Sequence, residues 1–295
     1  MTVLIIASNK DPASINIKKY LLTQSRWDEI NSFCENIVYR HFKMKDIAII
    51  TLNDRKIMHE NLDKEVKEKL GLKPKQAIFI SRHTSKTGKP TLTVHPIGNY
   101  GKAQFGGFDK TLSESSPRLM TCLLRILKKN AVQANLYHQV CFEVTHHGPF
   151  ISIPSLFVEV GSTEEEWKNK KPTYIVAKSV LELLNLYHYE KDLPKNIPVL
   201  IGVGGGHYAP RFTDVAFEKQ ASFGHMIPTY QIKEGNITEA VIDQAIKQTP
   251  NVSAGYFHRK ALKKSQMRQF KKWFDQRDIP LISSKKLPDF TPEMS

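Results

Sequence analysis

Cysteine is scarce in this chain of 295 residues: Cys34, Cys122 and Cys141 are the whole set, with no CxxC spacing. So few thiols exclude a disulfide framework and a thiolate zinc site, and they point to a reducing compartment, the cytoplasm. No apolar run approaches the ~20 residues of a membrane-spanning helix. No amphipathic membrane segment or lipidation signal replaces it, so a membrane is not expected as partner. The opening MTVLIIASNKDP lacks a basic leader and reads as a first strand. Familiar catalytic signatures are missing as well: no G-x-S-x-G, no H-E-x-x-H, no P-loop, and no G-x-G-x-x-G in a first βαβ unit. Acidic residues are the minority, 29 against 43 Lys and Arg, which leaves a formal net charge of +14. A chain this basic is expected to meet a polyanion, with nucleic acid the first candidate.

What is present alternates between strand and helix. The periodicity predicts strands over 2–7, 36–40, 46–52, 76–81, 91–95, 139–145, 155–160, 198–203, 222–227, 253–257 and 279–282. Asp11-Pro12 reads as a cap and first helical turn, with helical spacing from Ile15 to Leu22. Further helices are expected over 62–70, 117–130, 176–187, from Pro210, up to Lys247, and over 260–274. Capping boxes are expected at Thr163 with Glu166 and at Asn236 with Glu239. The alternation predicts an α/β fold with a largely parallel or mixed sheet and helices on both faces. We read residues 1–295 as one domain, with a loop-rich elaboration around 82–107.

The stretch IPVLIGVGGGHYAPRFTD, residues 197–214, looks like the organising element. A buried strand opens into Gly204, Gly205 and Gly206, followed at once by His207. Ligands in open α/β sheets bind at carboxyl ends of strands, and glycines let a ligand approach backbone amides. The plainer alternative is a tight turn with an incidental histidine.

Other histidines gather at strand ends. His83 and His95 flank the loop RHTSKTGKPTLTVH, His146 and His147 follow FEVT, and His225 lies in SFGHMIP. Zinc takes His, Asp and Glu donors where thiolates are absent, so these residues form a candidate metal or acid–base group. Glu143 and Glu159 lie on apolar strands, where an unpaired carboxylate is costly. Each is a candidate ligand, histidine-orienting acceptor or base. Taken singly, any of these histidines also fits a hydrogen-bonded structural role. Arg82, Lys86 and Lys89 crowd the first histidine loop, and Lys260, Lys264, Arg268 and Lys271 share a late helix face. They are candidate phosphate contacts, against the alternative of a solvated helix face.

Long motifs then carry a family resemblance: SRHTSKTGKPTLTVHPIGN, FEVTHHGP, SLFVEVGSTEEEW, GVGGGHYAPRFTD and FGHMIP. They resemble the archaeal and plant type of D-aminoacyl-tRNA deacylase, over nearly the whole chain. The resemblance implies a zinc-dependent hydrolase that cleaves the ester between a D-amino acid and the tRNA 3′ end. It also implies a fold similar to nucleoside phosphorylases and peptidyl-tRNA hydrolase, and a role in clearing aldehyde-modified D-aminoacyl-tRNA. It does not assign catalytic residues.

Our reading makes His207, His146 and Glu143 catalytic, and His83, His95, His147, His225 and Glu159 metal donors. The glycines serve the terminal nucleotide or the oxyanion, and the protein is expected to be a monomer. Rivals are a metal-free pocket that uses the ribose hydroxyl, a nucleoside-phosphorylase-like enzyme, and a non-catalytic RNA-binding module.

Overall fold

The computed structural model describes residues 2–186 and 193–291. Twelve strands are present among them: β1 (Thr2–Ser8), β2 (Trp27–Phe33), β3 (Asn36–His41), β4 (Ile47–Leu52), β5 (Pro74–Arg82), β6 (Thr91–His95), β7 (Gln139–Phe142), β8 (Ser155–Gly161), β9 (Val199–Val203), β10 (Ser222–Ile227), β11 (Val252–Phe257) and β12 (Leu281–Ile282). The helices are α1 (Pro12–Gln24), α2 (Leu62–Leu70), α3 (Pro117–Gln133), α4 (Glu164–Lys168), α5 (Lys170–Leu186), α6 (Pro210–Glu218), α7 (Thr229–Lys233), α8 (Glu239–Lys247) and α9 (Lys264–Asp275).

Two sheets form. The larger has eight strands in the order β2-β3-β4-β1-β5-β8-β6-β7, and the smaller four in the order β10-β9-β11-β12. The smaller is parallel throughout. The larger is mixed: β1 runs parallel to β4 and β5, while β2, β3 and β4 pair antiparallel and β6 runs against β8. The expected α/β fold is therefore present, with its strands divided between two sheets.

The sequence of β1, TVLIIAS, explains its central place. A continuous apolar run suits a strand covered on both faces. Val3, Ile5 and Ala7 face one core with α1, α3 and α5, whereas Leu4 and Ile6 face the other with Leu62 and Val66 of α2. The first core joins the sheets. Leu119, Leu123 and Leu127 of α3 share it with Ile78 and Val158 of the larger sheet and Leu200, Phe223 and Tyr256 of the smaller. The opposite face of the smaller sheet is closed by Val241 and Ile242 of α8 and Phe270 and Phe274 of α9.

Several local expectations give way to competing contacts. Strand β2, WDEINSF, lacks strict alternation: its apolar residues fall three apart, a register shift lies between Glu29 and Asn31, and the strand is a half-exposed edge, so its pattern concealed it. Thr163 makes no capping bond, and the Glu166 side chain that would complete the box instead accepts from Tyr137 Oη at 2.5 Å and lies 2.9 Å from His138 Nε2. Helix α8 is capped by Thr238 and not Asn236. The late helix begins at Lys264, with Lys260 in a preceding 3₁₀ turn. Helix α5 starts earlier than expected, at Lys170, and Tyr187, its expected last residue, lies outside the described residues.

Candidate active site

Strand order brings the histidines together. Strand β8 lies between β5 and β6, so Glu159 stands opposite Ser81 on one side and Thr93 on the other. His83 follows β5, His95 ends β6, and both reach the Glu159 carboxylate, at 3.4 and 3.8 Å. Beyond β7 the chain stays in register, with Glu143 N–H donating to Val94 O, and delivers Glu143, His146 and His147 to the same edge. The loop after β9 adds His207, whose carbonyl accepts from Val144 N–H at 2.9 Å.

Glu143 is fully buried and central. Its Oε1 lies 3.1 Å from His83 Nδ1, and its Oε2 lies 3.2 Å from His207 Nε2 and 3.4 Å from His146 Nε2. His83 Nε2 meets Tyr208 Oη at 3.1 Å, and Trp167 Nε1 anchors the His83 carbonyl at 2.8 Å.

Backbone carbonyls orient three other rings. His95 Nδ1 donates to Pro96 O at 3.1 Å, His146 Nδ1 to Val144 O at 2.8 Å, and His147 Nδ1 to Gly148 O at 2.6 Å. A carbonyl only accepts, so each neutral ring carries its proton on Nδ1 and presents a lone pair on Nε2. Donor atoms of these three residues lie within 4.8 Å of one another. The same closeness holds for His83, Glu143 and His207, and for His95, Glu143 and Glu159. The buried His/Glu clusters can therefore hold a metal ion.

Electrostatics divides the rings. Burial works against a charge on His83, but Glu159 and Glu143 prevail and raise it to about 10. His95 is raised in the same way, against its burial, chiefly by Glu159. Burial, followed by neighbouring histidines, holds His146 well below its usual value and brings His147 to about 4. Burial opposes ionisation of Glu143 and Glu159, yet the surrounding imidazoles keep both carboxylates below their usual range. The carboxylates are thus offset by protons on His83 and His95, a charge that a divalent cation can replace.

Two cavities open at this edge. One, of about 440 Å³, is lined by Lys10, Arg55, Lys56 and Arg82 together with the histidines. The other, of about 590 Å³, is lined by the histidines together with amide side chains such as Asn99 and Gln231 and the phenols of Tyr100 and Tyr230. Phe105, His146, His147 and His207 line both.

Of the residues expected from sequence, His83, His95, His146, His147, His207, Glu143 and Glu159 are brought together. His225 is not, since its ring is spent on Ser113 O at 3.0 Å and Thr145 Oγ1 at 3.1 Å. The glycine loop also departs from expectation. Gly204 N–H donates to Ile227 O and Gly205 N–H to Thr229 Oγ1, so these amides serve the fold. Gly204 and Gly205 have φ of 99° and 102°, conformations that a residue with Cβ rarely adopts, which explains the glycines as a turn. Gly206 likewise does not line either cavity.

The cations separate too. Arg82 lines the smaller cavity, and Lys86 and Lys89 are exposed on the loop beyond it. Lys260 lines a separate groove of about 860 Å³ with Arg211, Arg259, Lys285 and Lys286. Lys264 and Arg268 are exposed on α9, while Lys271 there is paired with Asp275 at 2.5 Å.

Sequence reading missed Lys56, which is buried and bonded to Asp11. Asp11 caps α1, as its place before Pro12 predicts, and also accepts from Arg82 N–H at 2.9 Å. Nothing in DRKIM marks its lysine as buried. Tyr208 was within reach, as the neighbour of His207 in the glycine motif.

Buried carboxylates and converging imidazoles at strand ends define an α/β enzyme equipped for acid–base or metal-assisted hydrolysis. Comparison with known proteins makes this specific. The family model described as D-aminoacyl-tRNA deacylase matches residues 70–282. The D-aminoacyl-tRNA deacylase of Pyrococcus horikoshii is 41% identical over 229 residues, covering 77% of this chain and 80% of that one. The one from Methanosarcina acetivorans is 34% identical over 292 residues, covering 97% and 93%. A crystal structure of a conserved protein of unknown function superposes with a TM-score of 0.86 at 30% identity, covering 97% of this chain and 96% of that one. The chain belongs to the D-aminoacyl-tRNA deacylase family. Its activity is ester hydrolysis, releasing a D-amino acid from tRNA, as the motif resemblance implied.

Proposed function

We propose that the ester is cleaved at the histidine wall between the two cavities, with His207 as the proton-transfer group and Glu143 as its partner. The observation that carries this is the contact of one buried carboxylate with His83, His146 and His207. With the His207 proton placed on Nε2, the nitrogen 3.2 Å from Glu143 Oε2, Nδ1 is left to take a proton from the attacking water. The water oxygen bonds to the ester carbonyl carbon, the bond to the ribose oxygen breaks, and the proton passes from Nδ1 to that oxygen. Free D-amino acid and tRNA result. Glu143 holds the ring in this tautomer and offsets the charge of its protonated form. The rings of His83 and Tyr208 stand beside that of His207, each with its centroid 5.5 Å away.

We assign zinc to the Nε2 atoms of His95, His146 and His147, with Glu159 behind them. The support is the donor chemistry: backbone-oriented imidazoles, a His95 Nε2 that makes no hydrogen bond, and buried negative charge. His147 is also held at φ 45°, a strained conformation for a residue with Cβ, of the kind that gathers at functional sites. Zinc would supply Lewis-acid polarisation of the ester carbonyl. A metal-free site is the second reading, favoured by the offset of the carboxylates by protons on His83 and His95.

The substrate tRNA would meet the exposed cations, Lys86, Lys89, Lys260, Lys264 and Arg268 among them. We further propose that the chain works as one unit, as a monomer, in the cytoplasm. Supporting this are the core shared by both sheets and three free cysteines. Among the described residues, no helix is long and apolar enough to cross a membrane.

The test is hydrolysis of matched D- and L-aminoacyl-tRNA with and without a chelator. Selective hydrolysis of the D form that is lost on chelation and restored by zinc supports the metal reading. Full activity after verified metal removal supports the metal-free one. Equal rates on D and L forms contradict both.

A further inference from the structure

The two cavities meet at the same histidines but differ in chemistry. The smaller carries Lys10, Arg55, Lys56 and Arg82. The charge of Lys56 is met by Asp11. Lys10, Arg55 and Arg82 have no carboxylate within ion-pair distance among the described residues, and the Arg82 guanidinium lies over the Trp167 ring at 4.8 Å. An arginine held over an aromatic ring keeps its donor fork in place for an anionic oxygen.

The larger cavity has one cation, Lys102, and one carboxylate, Glu234, and is otherwise lined by neutral groups such as Asn99, Tyr230 and Gln231. Tyr230 is partly buried there. Burial, followed by Glu234 and Glu143, pushes its phenol up to about 12, so it remains a hydrogen-bond donor. The volume of about 590 Å³ is within the range that accepts a small organic group, so a large side chain fits.

An aminoacyl ester has two unlike halves. One is a nucleotide with phosphodiester charge. The other is an α-ammonium group with a variable side chain. The bond between them must lie beside the proton-transfer group, and among the described residues only His146, His147, His207 and Phe105 face both cavities. We infer that the smaller, basic cavity takes the 3′-terminal nucleotide and its phosphates, and the larger, neutral cavity takes the D-aminoacyl group. This assignment rests on the placement of the chemistry proposed above. It makes Lys10 and Arg55 nucleotide-binding residues and Tyr230 a determinant of side-chain preference. A wall of neutral groups also accommodates side chains of either charge, as an enzyme acting on many D-amino acids requires.

The experiment uses the full chain and charged tRNA. In a Lys10→Gln, Arg55→Gln double variant, KM for D-tyrosyl-tRNA and Ki for uncharged tRNA should rise about tenfold, as phosphate contacts are lost. kcat should stay within about twofold, and the ratio of D-Tyr to D-Ala hydrolysis should hold. Tyr230→Ala should change that ratio about fivefold or more and leave Ki for uncharged tRNA unchanged. Tyr230→Phe, which keeps the ring, should restore most of it. Exchanged phenotypes, or no change in either variant, overturn the assignment. His207→Ala run alongside separates the two layers. If it is inactive, exchanged phenotypes overturn the subsites alone; if it is active, the placement of the chemistry fails and the subsites with it.

Discussion

Glu143 Oε2 lies 3.2 Å from His207 Nε2, joining a fully buried carboxylate to the one histidine of the cluster supplied by the smaller sheet. The pair crosses between sheets: Glu143 follows β7, and His207 follows β9. A buried carboxylate at this distance orients the ring across the boundary between the sheets.

Glu143→Gln keeps the shape of the side chain and removes its charge. We expect kcat/KM on D-aminoacyl-tRNA to fall about a hundredfold or more, mostly in kcat, because the tautomer of His207 is no longer enforced. Single-turnover deacylation at saturating enzyme checks this. A loss confined to KM would place Glu143 in substrate binding instead.

Metal content should separate the histidines. Alanine in place of His95, His146 or His147 should each reduce bound zinc, as losing one of three converging donors does. His225→Ala should retain zinc but lower stability by about 1–3 kcal/mol, the scale of leaving buried partners without a hydrogen bond. Elemental analysis with denaturant unfolding on the same samples decides it. Loss of zinc in His225→Ala with the fold intact would contradict this division.

A pH effect lies away from the site. His59 is flanked by Asp54 Oδ2 at 2.8 Å and Glu65 Oε2 at 2.5 Å. Burial opposes its charge, but these carboxylates raise its folded-state value above the usual one near 6.5. Its contribution is therefore complete below the unfolded value and is lost as pH rises through the raised folded value. His59→Gln should cost more stability at about pH 5.5 than at about pH 9, as read by urea midpoints at both. An equal cost at both ends would contradict the ion pairs.

For tRNA, surface position distinguishes similar lysines. Lys260 lies in a groove with other cations, whereas Lys271 is paired with Asp275. Lys260→Gln should lower the salt slope of log affinity by about 0.7 to 0.9. Lys271→Gln should leave it nearly unchanged. Filter binding across a salt series measures both, and equal effects would show that the pair with Asp275 opens on binding.

Much of this architecture is legible along the chain. Strands such as AIFIS and SLFVEV, and the helix after Ser116-Pro117, declare themselves by period and length, and histidines at strand ends mark the site. The long motifs carry the family. What is not legible depends on partners far away in sequence. The division into two sheets is decided by which strands pair, and β9 lies inside the smaller sheet, between β10 and β11, although its motif looks central to the whole. The glycines after β9 looked like a ligand cradle because sequence cannot show that Ile227 and Thr229 use their amides. His225 looked like its fellow histidines until Ser113 and Thr145 were found on its ring. Lys56 was invisible because only Asp11 makes its burial tolerable.

The most direct measurement is deacylation of D- and L-tyrosyl-tRNA by His207→Ala, with folding and zinc content determined on the same sample. The account predicts selective action by the parent protein and a loss in the variant of at least about a hundredfold in kcat/KM. It also predicts retained zinc, because the metal is assigned to His95, His146 and His147. Near-normal deacylation by a folded His207→Ala protein would contradict it.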